Sequence, residues 1–175
     1  MKTVFKIALA ALISICSFEV QAQDAHELIK EGIELNNTHN YSGAIEKYKA
    51  ALTMEPNNPS ANYQMAFSLV ALNKGQDALP YLQQVVQSGA SASVISSAYG
   101  LMGGIYDQLK QAQKAIESYQ QGIKLDSASY ALNYGLGLAY FRNHQYGDAE
   151  HSAVAAIRLD PKQACLLYTS DAADE

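Results

Sequence analysis

The chain of 175 residues has no tryptophan, four prolines and only two cysteines, and those two, Cys16 and Cys165, stand near its ends. The long body between them therefore has no thiol. That excludes disulfide staples, thiol catalysis and cysteine-ligated zinc there, and it suits an oxidising periplasm or exterior. Charged residues are sparse at 17%, and no cluster of Lys and Arg supplies the electrostatic footprint that nucleic acid or an anionic membrane surface requires. Histidine is confined to His26, His39, His144 and His151. No two of these have the H-x-x-x-H or H-E-x-x-H spacing that places two metal ligands on one helical face, and His39 and His144 read as solvated turn residues. There is no G-x-S-x-G elbow. Gly135-Leu-Gly137 has neither a preceding strand nor a following lysine to grip phosphate, so it reads as small residues in a helix. Glu46, Glu117 and Glu150 read as a solubilising outer face. The expectation is a chain with no catalytic residues, no metal site and no cofactor.

The two ends differ from the body. Lys2 and Lys6, the apolar run from Ile7 to Cys16, and Val20-Gln21-Ala22 before the polar Gln23 and Asp24 have the order of a secretory signal peptide over residues 1–22, with cleavage expected after Ala22. The apolar run is too short for a transmembrane anchor, which needs roughly 20 residues. A lipoprotein signal ending at Cys16 is the weaker alternative, because bulky Ile15 precedes the cysteine. The string from Cys165 to Glu175 resembles translated sequencing adapter, so residues 165–175 are expected to be a non-native tail, with native sequence reaching Ala164. Setting aside Lys2 and Lys6 among 12 basic residues, and Glu19, Asp171, Asp174 and Glu175 among 17 acidic ones, leaves 10 against 13, a body of net charge −3.

A period organises what remains. Gly32, Ala44, Tyr48 and Ala51 recur 34 residues later as Ala66, Ala78, Leu82 and Val85; Gly103, Ala115, Tyr119 and Gly122 recur as Gly137, Ala149, Ala153 and Ala156. The step from Ala78 to Ala115 is 37 residues, which places three extra residues in the link from Ser88 to Val94. Each unit carries two stretches with the 3.6-residue apolar period, joined by a polar turn such as Asn37-Thr-His-Asn40, and so reads as a helical hairpin. Small residues at Gly32, Ala66, Gly103 and Gly137 are expected to face Ala44, Ala78, Ala115 and Ala149, with Leu35, Leu69, Tyr106 and Tyr140 filling the space beside them. Pro56, Pro59 and Pro161 mark the ends of second helices, and Pro80 is expected in a first turn.

These residues resemble the tetratricopeptide repeat. The match is carried by Gly32-x-x-Leu35, Tyr41-x-x-Ala44-Ile-x-x-Tyr48-x-x-Ala51 and Pro56 in the first unit, and by Gly137-x-x-Tyr140, Tyr146-x-x-Ala149 and Pro161 in the last. Gly75, Ser127 and Ala153 depart from the pattern. The resemblance implies an all-α fold, a right-handed α-solenoid of about four helical hairpins over residues 25–164, with units near 25–58, 59–92, 96–129 and 130–163. Tyr41, Tyr48, Tyr106, Tyr119, Tyr140 and Tyr146 coincide with its packing positions and are expected in the core.

The resemblance also implies a scaffold that binds a peptide or partner protein on the concave surface formed by first helices. The residues expected there are Ile33, Tyr63, Phe67, Val70, Gly100, Gly104, Asp107, Tyr134, Leu138, Phe141 and Arg142. Because these are mainly apolar, the clamp of lysines and asparagines with which some members hold a C-terminal carboxylate is not expected. Gly103 reads as hairpin packing. Gly100 and Gly104, one helical turn apart, read either as a side-chain-free recess for an apolar anchor or as relief for a neighbouring helix. Together with the leader, these readings suggest a periplasmic or secreted adaptor with an envelope protein or peptide as partner. The alternative is the N-terminal spacer of a larger enzyme, sensor or peptidoglycan-anchored protein.

Overall fold

Four turns repeat one hydrogen-bond pattern and divide the chain into short helices. The computed structural model describes residues 25–162. The expected leader, its cleavage site and the tail lie outside them. Within them α1 covers residues 25–37, followed by α2 Tyr41–Met54, α3 Pro59–Ala71, α4 Gly75–Gln87, α5 Ala92–Gln108, α6 Ala112–Leu125, α7 Tyr130–Arg142 and α8 Tyr146–Leu159. No strand occurs among the described residues. The chain divides into two compact units, one ending at Gln84 and one beginning at Val85.

After α1, Asn40 N–H donates to the Leu35 carbonyl and His39 N–H to the Asn36 carbonyl, both at 2.9 Å. This is the paired closure of a Schellman motif, which satisfies carbonyls that the helix end would otherwise leave open. The same pair recurs at Asn73 and Lys74, at Lys110 and Gln111, and at His144 and Gln145. His39, Asn73, Lys110 and His144 accordingly have φ values of 60°, 58°, 57° and 61°. Left-handed backbone favours glycine, and here it is imposed on larger residues by the turn. Replacing Lys110 with glycine is therefore expected to stabilise the chain by about 1 kcal/mol, read as a higher urea midpoint at unchanged slope.

Side chains cap the starts of α2, α3 and α7. Asn58 accepts from Ala61 N–H at 3.0 Å with Pro59 at the first helical position, and Asn40 accepts from Gly43 N–H at 3.1 Å. The three extra residues do not lengthen the link. The link closes at Ser91, and α5 takes them up as an additional turn, reaching 17 residues where α2 to α4 and α6 to α8 have 13 or 14. Ala92-Ser-Val-Ile95 has no helix-breaking residue, so extending the helix satisfies backbone groups that a longer loop would have left to water. Pro80 also differs from expectation. α4 starts at Gly75, so the proline stands in the second turn, where the missing N–H costs one ladder bond.

Packing follows the small-residue positions but in two ways. In the first unit Gly32 receives the ring of Tyr48, and a β-carbon there would collide with it. In the second, a β-carbon on Gly103 would lie 2.6 Å from Tyr119 Cε1. The helix pair thus approaches around an aromatic ring set one turn beyond the facing alanine. Gly137 has Ala153 at the corresponding position, and there the backbone itself comes close, with the Ala149 carbonyl oxygen 3.4 Å from where a β-carbon would stand. Tyr119 meets a second glycine as well: a β-carbon on Gly135 of α7 would also lie 2.6 Å from its Cε1. Around it Ala115, Ile116, Leu132, Leu136 and Ala139 form the core of the second unit, with Tyr106 and Tyr140 packed alongside.

Tyr48 and Tyr119 are buried, whereas Tyr146 is 58% exposed and lies edge-on to Phe141, with its hydroxyl 3.0 Å from His144 Nδ1. Its expected place in the core is thus corrected: no described helix covers that side of α8. Burial pushes the phenols of Tyr48 and Tyr119 up to about 12 from an ordinary 10.0; the Asn36 hydrogen bond opposes this at Tyr48, and at Tyr119 Asp107 adds to it while Arg142 opposes it. A folded-state pKa above the unfolded one favours the neutral phenol in the fold. The stability that depends on these groups is complete below pH 10 and lost as pH rises through about 12. Urea midpoints measured across that window are expected to fall, and to fall less in Tyr48→Phe.

Candidate functional site

The residues expected on the inner surface distribute over both compact units. Ile33, Tyr63, Phe67 and Val70 belong to the first, where Phe67 is exposed and the other three are half-buried. Gly100, Gly104, Asp107, Tyr134, Leu138, Phe141 and Arg142 belong to the second. There all but Gly100 separate into two recesses.

One recess, of about 600 Å³, is walled by Gly104, Asp107, Gln108, Lys110, Ala112 and Arg142. The last turns of α5 and α7 are tied together at its edge, where Arg142 Nη1 donates to Asp107 Oδ2 at 2.7 Å. The Asp107 side chain is only 10% exposed, while that of Arg142 is 53% exposed. Burial raises the Asp107 carboxyl above its ordinary value, against the lowering effect of the guanidinium charge and hydrogen bond. Gly104 opens onto space: a β-carbon there would find only the Tyr119 hydroxyl, at 3.8 Å. Gly100 does not share the recess. A β-carbon on it would lie 3.0 Å from Leu132 Cδ2, so of the two readings open for this pair, Gly100 takes helix packing and Gly104 takes the recess. Spacing alone could not separate them, because the difference depends on where Leu132 of α7 falls.

The other recess, of about 400 Å³, lies between α7 and α8 and is lined by residues including Tyr134, Leu138 and Phe141 from α7 and Tyr146 and Ala153 from α8. Tyr134, Leu138 and Phe141 stand four and three residues apart and so form one stripe of α7. Arg142, one position further, projects from a different side of the helix and reaches Asp107.

Asn36 was not among the residues the sequence singled out. It is buried, donates from Nδ2 to the Tyr48 hydroxyl at 3.0 Å, and accepts at Oδ1 from Ser68 Oγ at 2.8 Å. The signal lay in the period: Asn36 and Asp107 hold the same repeat position, as do Tyr48 and Tyr119. Among the described residues no group of three or more His, Cys, Asp or Glu is placed to hold a metal ion, and no helix is long and apolar enough to cross a membrane.

The family described as Tetratricopeptide Repeats-Sensor matches residues 40–140, more than half the chain. The chain belongs to this tetratricopeptide repeat family. The solved structure of MamA 41-end from Desulfovibrio magneticus RS-1 is 28% identical, covers 80% of this chain and 77% of its own, and superposes with a TM-score of 0.72. YrrB, described as a tetratricopeptide repeat protein with an unusual peptide-binding site, covers 97% of this chain and 86% of its own at 19% identity and a TM-score of 0.72, and so shares the fold. These neighbours give the tetratricopeptide chain its class, an all-α solenoid. Small glutamine-rich tetratricopeptide repeat-containing protein 2 of Mycosarcoma maydis is 27% identical over 114 residues, which is 64% of this chain and 31% of that protein. The chain thus spans less than a third of that relative's length.

Proposed function

We propose that this tetratricopeptide protein is an exported protein-interaction scaffold that binds a peptide or a segment of an envelope protein. The observation that carries the reading is the uncovered surface of the second unit's first helices: Phe141 of α7 is 60% exposed, and Gly104 of α5 leaves an open recess. Large apolar side chains left in water on a repeat scaffold are the usual anchor sites for partners. The peptide-binding site named for the structural neighbour YrrB supports the same role. Export rests on the order of charge, apolar run and small residues over 1–22.

Two measurements test the reading. Expressed with its leader in a Gram-negative host, the protein is expected in the periplasmic fraction with Gln23 as its first residue; retention in the cytoplasm or a lipid-modified Cys16 overturns the export part. Capture from envelope extracts is expected to weaken about tenfold in Phe141→Ala, a typical loss for an aromatic anchor. Unchanged capture overturns the surface.

A further inference from the structure

The recess between α7 and α8 is built differently from the same place in the other units. Tyr48 and Tyr119 set a ring against Gly32 and Gly103, and Leu82 is buried at the same repeat position, but the last unit has Ala153 there while Gly137 keeps the small position opposite. The space that a ring takes elsewhere is left open, as part of the recess of about 400 Å³. Glu150 departs as well. It holds the repeat position of Ile45, Leu79 and Ile116, aliphatic in every other unit, and it brings a carboxylate to the wall of the recess.

Three rings line the recess with that carboxylate: Tyr134, Phe141 and Tyr146. Phe141 and Tyr146 meet at 64° with centroids 5.6 Å apart, so they form a corner, and both are more than half exposed. Tyr146 is fixed by its hydroxyl, 3.0 Å from His144 Nδ1, and Tyr134 by the ring of Tyr130, stacked on it with centroids 5.7 Å apart. The rings are thus placed before anything binds, which lowers the ordering cost of binding.

Charge and hydrogen bonding narrow the occupant. An anion would be repelled by Glu150, and a neutral apolar group would gain nothing from it. A primary ammonium would bring three N–H donors to a wall with a single carboxylate, at the cost of its strong hydration. A quaternary ammonium group carries the charge without any N–H, and aromatic rings attract it through their quadrupoles. Among the described residues no lysine, arginine or histidine lines the recess, so no cation of the protein competes for the rings.

We propose that the recess between α7 and α8 binds a small quaternary ammonium compound of the choline type, its methyl groups against Tyr134, Phe141 and Tyr146 and its charge balanced by Glu150. The inference goes beyond the protein-binding reading and does not rest on it, although Phe141 belongs to both.

The test titrates choline into the full chain and follows the aromatic side-chain resonances by NMR. Binding is expected with a Kd of about 1 mM, as suits a ligand of so few heavy atoms. The neutral analogue in which carbon replaces the choline nitrogen is expected to bind about tenfold more weakly, because it keeps the shape and loses the charge. Phe141→Leu and Glu150→Gln are each expected to weaken choline binding by roughly three- to tenfold, while Glu117→Gln on the outer face of α6 leaves it unchanged. Ala153→Tyr, which returns the ring of the first and third units, is expected to abolish it. Circular dichroism confirms that each variant is folded, and the comparison of choline with its neutral analogue on the wild type stands whatever the variants do. Equal binding of the two would show an apolar hole and overturn the proposal, as would choline binding that none of the three recess variants alters. Vesicles of phosphatidylcholine, which present the same headgroup on a membrane, are expected to leave the protein in the supernatant on sedimentation. Co-sedimentation that Ala153→Tyr blocks would assign the recess to a lipid surface and overturn the free solute. Absence of choline binding with partner capture intact would sink the site and leave the protein-binding reading standing.

Discussion

Tyr119→Ala is expected to cost about 3–5 kcal/mol, the range found when a buried aromatic is truncated and its surroundings cannot collapse. Collapse is prevented here because the ring is gripped from two sides, by Gly103 of α5 and Gly135 of α7, each close enough that an added β-carbon would approach to 2.6 Å. Removing the ring leaves two glycine surfaces facing a void that backbone cannot fill. The urea midpoint should fall strongly, with the loss concentrated in the second compact unit. The two glycines of α7 give a matched check. Gly135→Ala forces the ring aside and should cost about 1–3 kcal/mol through overpacking. Gly137→Ala, two residues on, meets only contacts of 3.4 Å or more and should be neutral or gain up to about 1 kcal/mol of helix propensity. Equal effects at the two positions would show that the ring is not held as described.

Asn36→Leu is expected to cost about 2 kcal/mol despite its similar volume, because the Tyr48 hydroxyl would lose its buried partner. Ser68 suffers less, since its hydroxyl can also donate to the Gln64 carbonyl of its own helix at 2.9 Å. The cycle with Tyr48→Phe separates bonding from packing: if the amide acts through the hydroxyl, Asn36→Leu should cost about 1 kcal/mol less when combined with Tyr48→Phe than on its own. A cost that is the same in both backgrounds would assign Asn36 to packing alone.

The hairpin units are legible in the sequence because period, small residues and prolines act locally and repeat. The glycine-to-alanine pairing at Gly137 and Ala149 is readable directly; at Gly32 and Gly103 the partner is the tyrosine one turn further on, which the same period contains. What the sequence does not disclose are features decided by a third element. Lys110 and His39 give no composition signal for left-handed backbone, since the turn geometry imposes it. Asn36, at the end of α1, is not singled out by the sequence, because its role depends on Ser68 and Tyr48 closing around it. The candidate site is legible as a set of positions but not as a shape. Arg142 lies beside Phe141 in sequence, yet one reaches back to Asp107 and the other faces the groove shared with α8.

The ring of Tyr119 has one more consequence, for the way the second unit comes apart. Repeat arrays of helices usually lose their ends piecemeal, since each hairpin touches only its neighbours. Here a residue of one hairpin is seated in the first helix of its own unit and in the first helix of the next. α5, α6 and α7 therefore cannot separate without vacating the same ring, and they should open as a single cooperative block. Among the described elements α8 packs on α7 alone and shares no such ring, so it can detach while the block stays closed. The boundary of cooperative unfolding in this unit thus falls inside its last hairpin, between α7 and α8, and not between hairpins.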